Sequence, residues 1–168
     1  MAKKMERLLV AIDPGITGTG FAVFSPLGQT LRFTHVFKPI LDDAAPWFSR
    51  AADVAAQLAA NVQEAEPCDI VIELPIVYQS SAGRNAQHSG SIIKLGFLTG
   101  MLYGMARTRM GVGEIRCVTA PEWKGQLPHA IVVKRVVRIY PQMSEKGVTE
   151  HEIDAVGLGI FHLRGEFK

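Results

Sequence analysis

Acids at three places in this 168-residue chain could do chemistry. Asp13 closes the apolar run Leu8 to Ile12 and is followed by Pro14 and Gly15. Glu73 closes Asp69-Ile70-Val71-Ile72 and is followed, after Leu74, by Pro75. His151 and Asp154 stand three apart at the start of the last apolar segment. A short branched-aliphatic run stopped by Pro or Gly reads as a strand, so each of the first two acids sits at a strand's carboxyl end. For Asp13 two readings stand: it opens a turn, as Asp before Pro-Gly commonly does, or it holds a divalent metal or lies under phosphates. His151 and Asp154 share a face if their segment is helical, and Glu150, one turn before Asp154, lies on nearly the same face and could coordinate in place of His151. The three carboxylates among these four groups repel one another unless a cation joins them. Oxygen-rich sites suit Mg²⁺ or Mn²⁺, and two ions close together can activate a water and stabilise the leaving oxygen of a phosphodiester. That is nuclease chemistry.

The elements that must gather these residues are an α/β set. A glycine-rich turn after Asp13 leads to a second strand from about Gly20 to Phe24, and Ser25-Pro26-Leu27-Gly28-Gln29 turns into a third strand, Thr30 to Phe37. These make a three-strand antiparallel meander. Pro46 opens a helix to about Glu64, with Trp47, Val54, Leu58 and Val62 on one stripe. A right-handed crossover through it sets the strand ending at Glu73 beside the first and parallel to it. Asp13 and Glu73 then become neighbours. The polar stretch Tyr78 to Ser91 is a long loop of the functional type, in which Arg84 and Tyr78 supply a charge and a stacking surface. Ile92 to Arg107 is a helix whose Gly96, Gly100 and Gly104 form one ridge. That ridge lets another backbone come close, so the helix is expected to pack tightly on the sheet, and a further reading has it meet a second subunit as well. Glu114 to Thr119 is the fifth strand, left through a loop Ala120-Pro121-Glu122-Trp123-Lys124-Gly125 that carries a cation and an exposed-type aromatic. Pro128 opens a helix to about Tyr140 with Lys134, Arg135 and Arg138 along one side, facing either solvent or phosphates. Glu150 to Leu163 is the last element.

A hydrophobic content of 48 % over this length supports one domain with a real core, spanning 1–168. The net charge of +2 permits a nucleic-acid partner through a local basic face without demanding one. Cys68 and Cys117 lack metal or redox spacing and read as reduced core thiols. Lys3, Lys4 and Arg7 precede only a short apolar run that Asp13 interrupts, so neither a secretory signal nor a membrane anchor is expected, and the protein is expected to be soluble and cytoplasmic.

With these residues placed, the chain resembles the RuvC-type Holliday-junction resolvases of the RNase H-like superfamily. The matching pieces are I-D-P-G-I-T-G-T-G at 12–20, V-I-E at 71–73, K-L-G at 94–96, A-P-E-W-K-G at 120–125 and H-E-I-D-A at 151–155, in the family's order. The W-K-G run is similar to resolvases of bacteriophages and prophages more than to the cellular branch. The resemblance implies a homodimer, two metal ions per site and symmetrical nicking of four-way DNA junctions. It implies that Asp13 bridges the metals, that Glu73 and Asp154 complete the carboxylate set, and that His151 takes a position held by an acid in some members and by histidine in others. It also places an aromatic of the loop after Glu73 near the junction centre, here Tyr78, although this loop is longer than in the cellular branch. A basic residue usually opens the helix after the A-P-x-W-K-G run. Here His129 stands there, and Lys124 or Lys134 would supply the charge. Lys124, Lys134, Arg135, Arg138 and Arg84 are the candidate DNA contacts.

Two other functions fit parts of the pattern. D-x-G-x-T-G at Asp13, Gly15, Thr17 and Gly18 also matches the first phosphate hairpin of actin, Hsp70 and sugar kinases, but a kinase of that kind needs two such domains, more than 168 residues hold. An RNase H-like nuclease acting on RNA/DNA hybrids or structured RNA shares the metal chemistry and differs in loops.

Overall fold

In a computed structural model, residues 7–25, 27, 29–63, 67–76, 90–108 and 111–167 are described, with only the backbone of 62 and 63. Three strands come first: β1 (Leu8–Asp13), β2 (Thr19–Ser25) and β3 (Thr30–Phe37). Helix α1 (Trp47–Gln63) crosses to β4 (Cys68–Leu74), and α2 (Ser91–Arg107) leads to β5 (Val112–Thr119). The short α3 (Ala120–Trp123), α4 (His129–Ile139), a 3₁₀ turn at Pro141–Ser144 and α5 (Glu150–Arg164) complete the order. The five strands form one sheet in the order β3-β2-β1-β4-β5. β1 pairs antiparallel with β2 and parallel with β4, and β4 runs parallel to β5. This is the expected meander joined to parallel strands, flanked by helices.

The central strands are buried on both faces, which is why they read as continuous apolar runs. Leu8, Val10 and Ile12 of β1 meet Val54 and Leu58 of α1 and Leu98 and Leu102 of α2. Leu9 and Ala11 turn the other way, into a core with Val132 and Val136 of α4 and Ile153, Val156 and Ile160 of α5. Strand parity then decides where the acids go. Asp13 follows Leu9 and Ala11, and Glu73 follows Val71, so both carboxylates belong to the face covered by α5. The register, in which Ile12 lies beside Ile72, brings their strand tips level.

Two expectations are corrected. Residues 120–125 are not a plain loop with an exposed tryptophan: α3 opens on a capping box between Thr119 and Glu122, and Trp123 is 3 % exposed. The glycine ridge of α2 does not meet the sheet either. Leu98, Thr99, Leu102 and Ala106 form its buried face, while a Cβ placed on Gly96, Gly100 or Gly104 would meet none of the described residues within 4 Å. Of the loop expected over 78–91, residues 78–89 lie outside the described residues, Tyr78 and Arg84 among them. No described helix is long and apolar enough to cross a membrane.

Candidate active site

The site lies over the carboxyl ends of β1 and β4, where Asp13 and Glu73 meet the first turn of α5. That helix starts at a firm point: the hydroxyl of Thr149 accepts from the Glu152 amide at 3.2 Å, and the Glu152 carboxylate accepts from the Thr149 amide at 2.9 Å. The other Glu152 oxygen accepts from the Thr34 hydroxyl at 2.8 Å, which pins the helix to β3. The glycines after Asp13 explain how close this helix comes. A Cβ on Gly20 would overlap the His151 backbone carbonyl, and one on Gly15 would lie 2.9 Å from His151 Nε2. His151 therefore occupies the space over the glycine turn, which leaves no cradle for a phosphate there and removes the main attraction of the actin-like reading.

Its imidazole Nδ1 lies 2.7 Å from Asp13 Oδ2. The hydrogen bond to Asp13, with that residue's charge and those of Asp154 and Glu150, raises the His151 pKa against the effect of burial. Burial raises the Asp13 pKa despite the partner histidine. Glu150, by contrast, is exposed at the helix start. At the tip of β4, burial and then the charge of Asp13 push Glu73 up to about 7. Its Oε2 accepts from the Trp123 indole Nε1 at 2.7 Å. Lys124 turns inward, with its ammonium 2.6 Å from Asp154 Oδ2 and 3.9 Å from Glu73 Oε2. Burial pulls the Lys124 pKa down, but Glu73, Asp154 and Asp13 together raise it above its ordinary value.

Asp13, Glu73, His151, Asp154 and Lys124 are thus brought to one place. Among the described residues no three His, Cys, Asp or Glu side chains are close enough to enclose one ion, and the Lys124 ammonium lies between the carboxylates instead. The donor set still fits a hard divalent cation in kind. Carboxylate oxygens and one imidazole face the same space, and Asp154 Oδ1 is buried with no hydrogen-bond partner among the described residues, His129 Nδ1 being 3.6 Å away. Of the basic candidates, Lys134 and Arg138 are exposed on α4. Arg135 is not: it donates to the Phe167 carbonyl and lies 5.7 Å from that ring's centroid. Trp123 is the site residue that the sequence reading missed. Its signal was present in Thr119-Ala-Pro-Glu122, a capping box with Pro in the first turn, which marks a helix start rather than a loop.

Compared with solved structures, the chain superimposes on Thermus thermophilus RuvC with a TM-score of 0.68 at 20 % identity, covering 92 % of each chain. The fold is that of RuvC. A second structure, T. thermophilus RuvC in complex with Holliday junction substrate, gives a TM-score of 0.69 at 22 % identity over 93 % of this chain and 92 % of that one. No protein-family model matches the chain, and no curated protein does. At this identity the likeness lies in the arrangement of sheet and helices, and the functional reading rests on the residues gathered at the strand tips.

Proposed function

We propose that this chain is a metal-dependent endonuclease of the phage-like RuvC type, which resolves four-way DNA junctions by paired symmetrical nicks. The observation that carries the reading is the convergence of Asp13, Glu73 and Asp154 from β1, β4 and α5 on one face, with a buried Asp154 oxygen that has no hydrogen-bond partner among the described residues. In a RuvC fold, whose solved relatives include one bound to a Holliday junction, that convergence lies over the carboxyl ends of the parallel strands. Asp13, Glu73 and Asp154 would hold the metal, with His151 either a further ligand or the group that keeps Asp13 oriented. Two Mg²⁺ or Mn²⁺ ions bound there would activate a water and stabilise the leaving oxygen. Lys124 neutralises Asp154 and Glu73 until the substrate and its counter-charges arrive, and Lys134 and Arg138 of α4 offer charge to DNA phosphates. A single domain with one site needs a twin for two cuts, so the working form is a homodimer, acting in the cytoplasm of a bacterial or phage-infected cell.

A panel of four-way junction, fork, duplex and RNA/DNA hybrid, each with Mg²⁺, tests the reading. Paired nicks in the junction are expected. Asp13→Asn, Glu73→Gln and Asp154→Asn should each abolish cutting while leaving junction binding intact or slightly tighter, because each removes negative charge from the phosphate path. Preferential cutting of the hybrid would replace the junction reading with an RNase H-like one, and near-normal cutting by any of the three variants would remove that residue from the ligand set.

A further inference from the structure

Trp123 is placed with more care than a core aromatic needs. Its helix α3 is fixed at the tip of β5 by Pro121 and by the capping box, in which Glu122 Oε2 accepts from the Thr119 amide at 2.6 Å. The indole then lies across Gly157 of α5, where a Cβ would come within 2.7 Å of its Cζ3, and meets the Phe167 ring edge-on at 5.3 Å between centroids. Phe167 is itself held by Arg135. In the orientation that these contacts hold, Nε1–H points at Glu73 Oε2, 2.7 Å away. A buried indole N–H needs an acceptor, and backbone carbonyls are the common ones. Here the acceptor is a carboxylate of the candidate metal site. Trp123 and Lys124 both address Oε2, and no described hydrogen bond uses Oε1.

We propose that Trp123 is a positioning residue for Glu73: its indole N–H fixes one carboxylate oxygen at the tip of β4 so that the other is presented to a divalent cation. This rests on the metal-dependent reading of the site. A carboxylate on a rotating side chain loses orientational freedom when it takes a metal, and an outer hydrogen bond that removes this freedom beforehand strengthens binding. The site also gains reach, since the chain from Trp123 through Gly157 ties Glu73 to the helix that carries Asp154.

The test is metal binding by the full-length protein, measured calorimetrically with Mn²⁺, alongside thermal unfolding. Trp123→Phe keeps most of the ring and loses the N–H, and its Mn²⁺ affinity should fall about 10- to 100-fold. Wild-type affinity in a folded Trp123→Phe overturns the positioning role while leaving the nuclease reading intact, even if the variant melts earlier, since a purely packing role lowers stability and not affinity. A wild-type protein that binds no Mn²⁺ and cuts no junction defeats both. Should Trp123→Phe fail to fold, a protein carrying Trp47→Phe keeps Trp123 as its one tryptophan. Its emission should change saturably with Mg²⁺, and the change should vanish in Glu73→Gln; an emission indifferent to Mg²⁺ overturns the proposal.

Discussion

Glu73 is a carboxyl whose charge the folded protein resists. Burial first, and then Asp13, move it from its ordinary 4.5 to about 7. As pH rises between those values, the unfolded chain releases this proton and the native one keeps it, so the native state loses up to about 3 kcal/mol of relative stability. Asp13, raised by burial, acts in the same sense. His151 does too: its pKa is raised from 6.5 by the hydrogen bond to Asp13, so its stabilising contribution is whole below that value and fades as pH rises through the raised one. Metal-free protein should therefore resist urea less at about pH 8 than at about pH 5.5, and Glu73→Gln should flatten the difference. Mg²⁺ should restore more stability at the alkaline end, where the carboxylates are ionised and bind it. A metal-free stability that rises over this interval would mean that the carboxylates are not held together as described.

At the level of elements, the site depends on how closely the first turn of α5 lies on the start of β2. Gly20→Ala would drive a Cβ into the His151 backbone, which cannot move as a side-chain tip could. The variant should lose roughly 1–3 kcal/mol by overpacking and most of its cutting, although every proposed ligand is intact; wild-type cleavage would show that α5 can stand further off. Helix α4 makes a different prediction, since its three cations are unlike. Lys134→Ala and Arg138→Ala should each reduce the slope of log affinity against log salt for a junction by about one unit. Arg135→Ala should instead loosen Phe167 and lower the melting temperature with the slope unchanged. These distinctions mark what a sequence can convey. The meander, the pairing of β4 with β1 and the acids at strand tips were legible because apolar runs and Pro-Gly stops are local signals; the place of β5 beside β4 was not read. The inward turn of Lys124 and the burial of Trp123 were not, because the first depends on Glu73 and Asp154 and the second on Gly157 and Phe167, all thirty or more residues away in the chain. The glycine ridge of α2 showed that close approach was possible there, but not by what.

For the whole molecule the surface that matters is the outward side of α2, which is apolar and exposed. Its outward stripe carries Ile93, Phe97 and Tyr103, exposed by 70, 45 and 41 %, alternating with Gly96, Gly100 and Gly104. Phe97 stacks edge-on with Trp47 at 5.3 Å, and the neighbouring Phe48 is itself exposed, which widens the apolar patch. A contiguous apolar patch beside residues without side chains suits a helix of another subunit, since backbones can then approach closely. A twin chain is the occupant that the proposed task requires, because paired nicks need two sites related by a twofold axis. Gly100→Leu separates the monomer's needs from the dimer's. Among the described residues of one chain a Cβ at this position meets nothing within 4 Å, and replacing glycine in a helix interior gains up to about 1 kcal/mol, so the variant should melt no lower than wild type unless dimerisation itself stabilises the fold. At the twofold contact the same side chain must block the approach, and light scattering should show dissociation at concentrations where wild type is dimeric. Junctions should then be nicked singly rather than in pairs. A folded Gly100→Leu with wild-type dimer affinity would move the interface away from α2, and a wild-type monomer that makes paired cuts without assembling on the junction would remove the dimer from the mechanism.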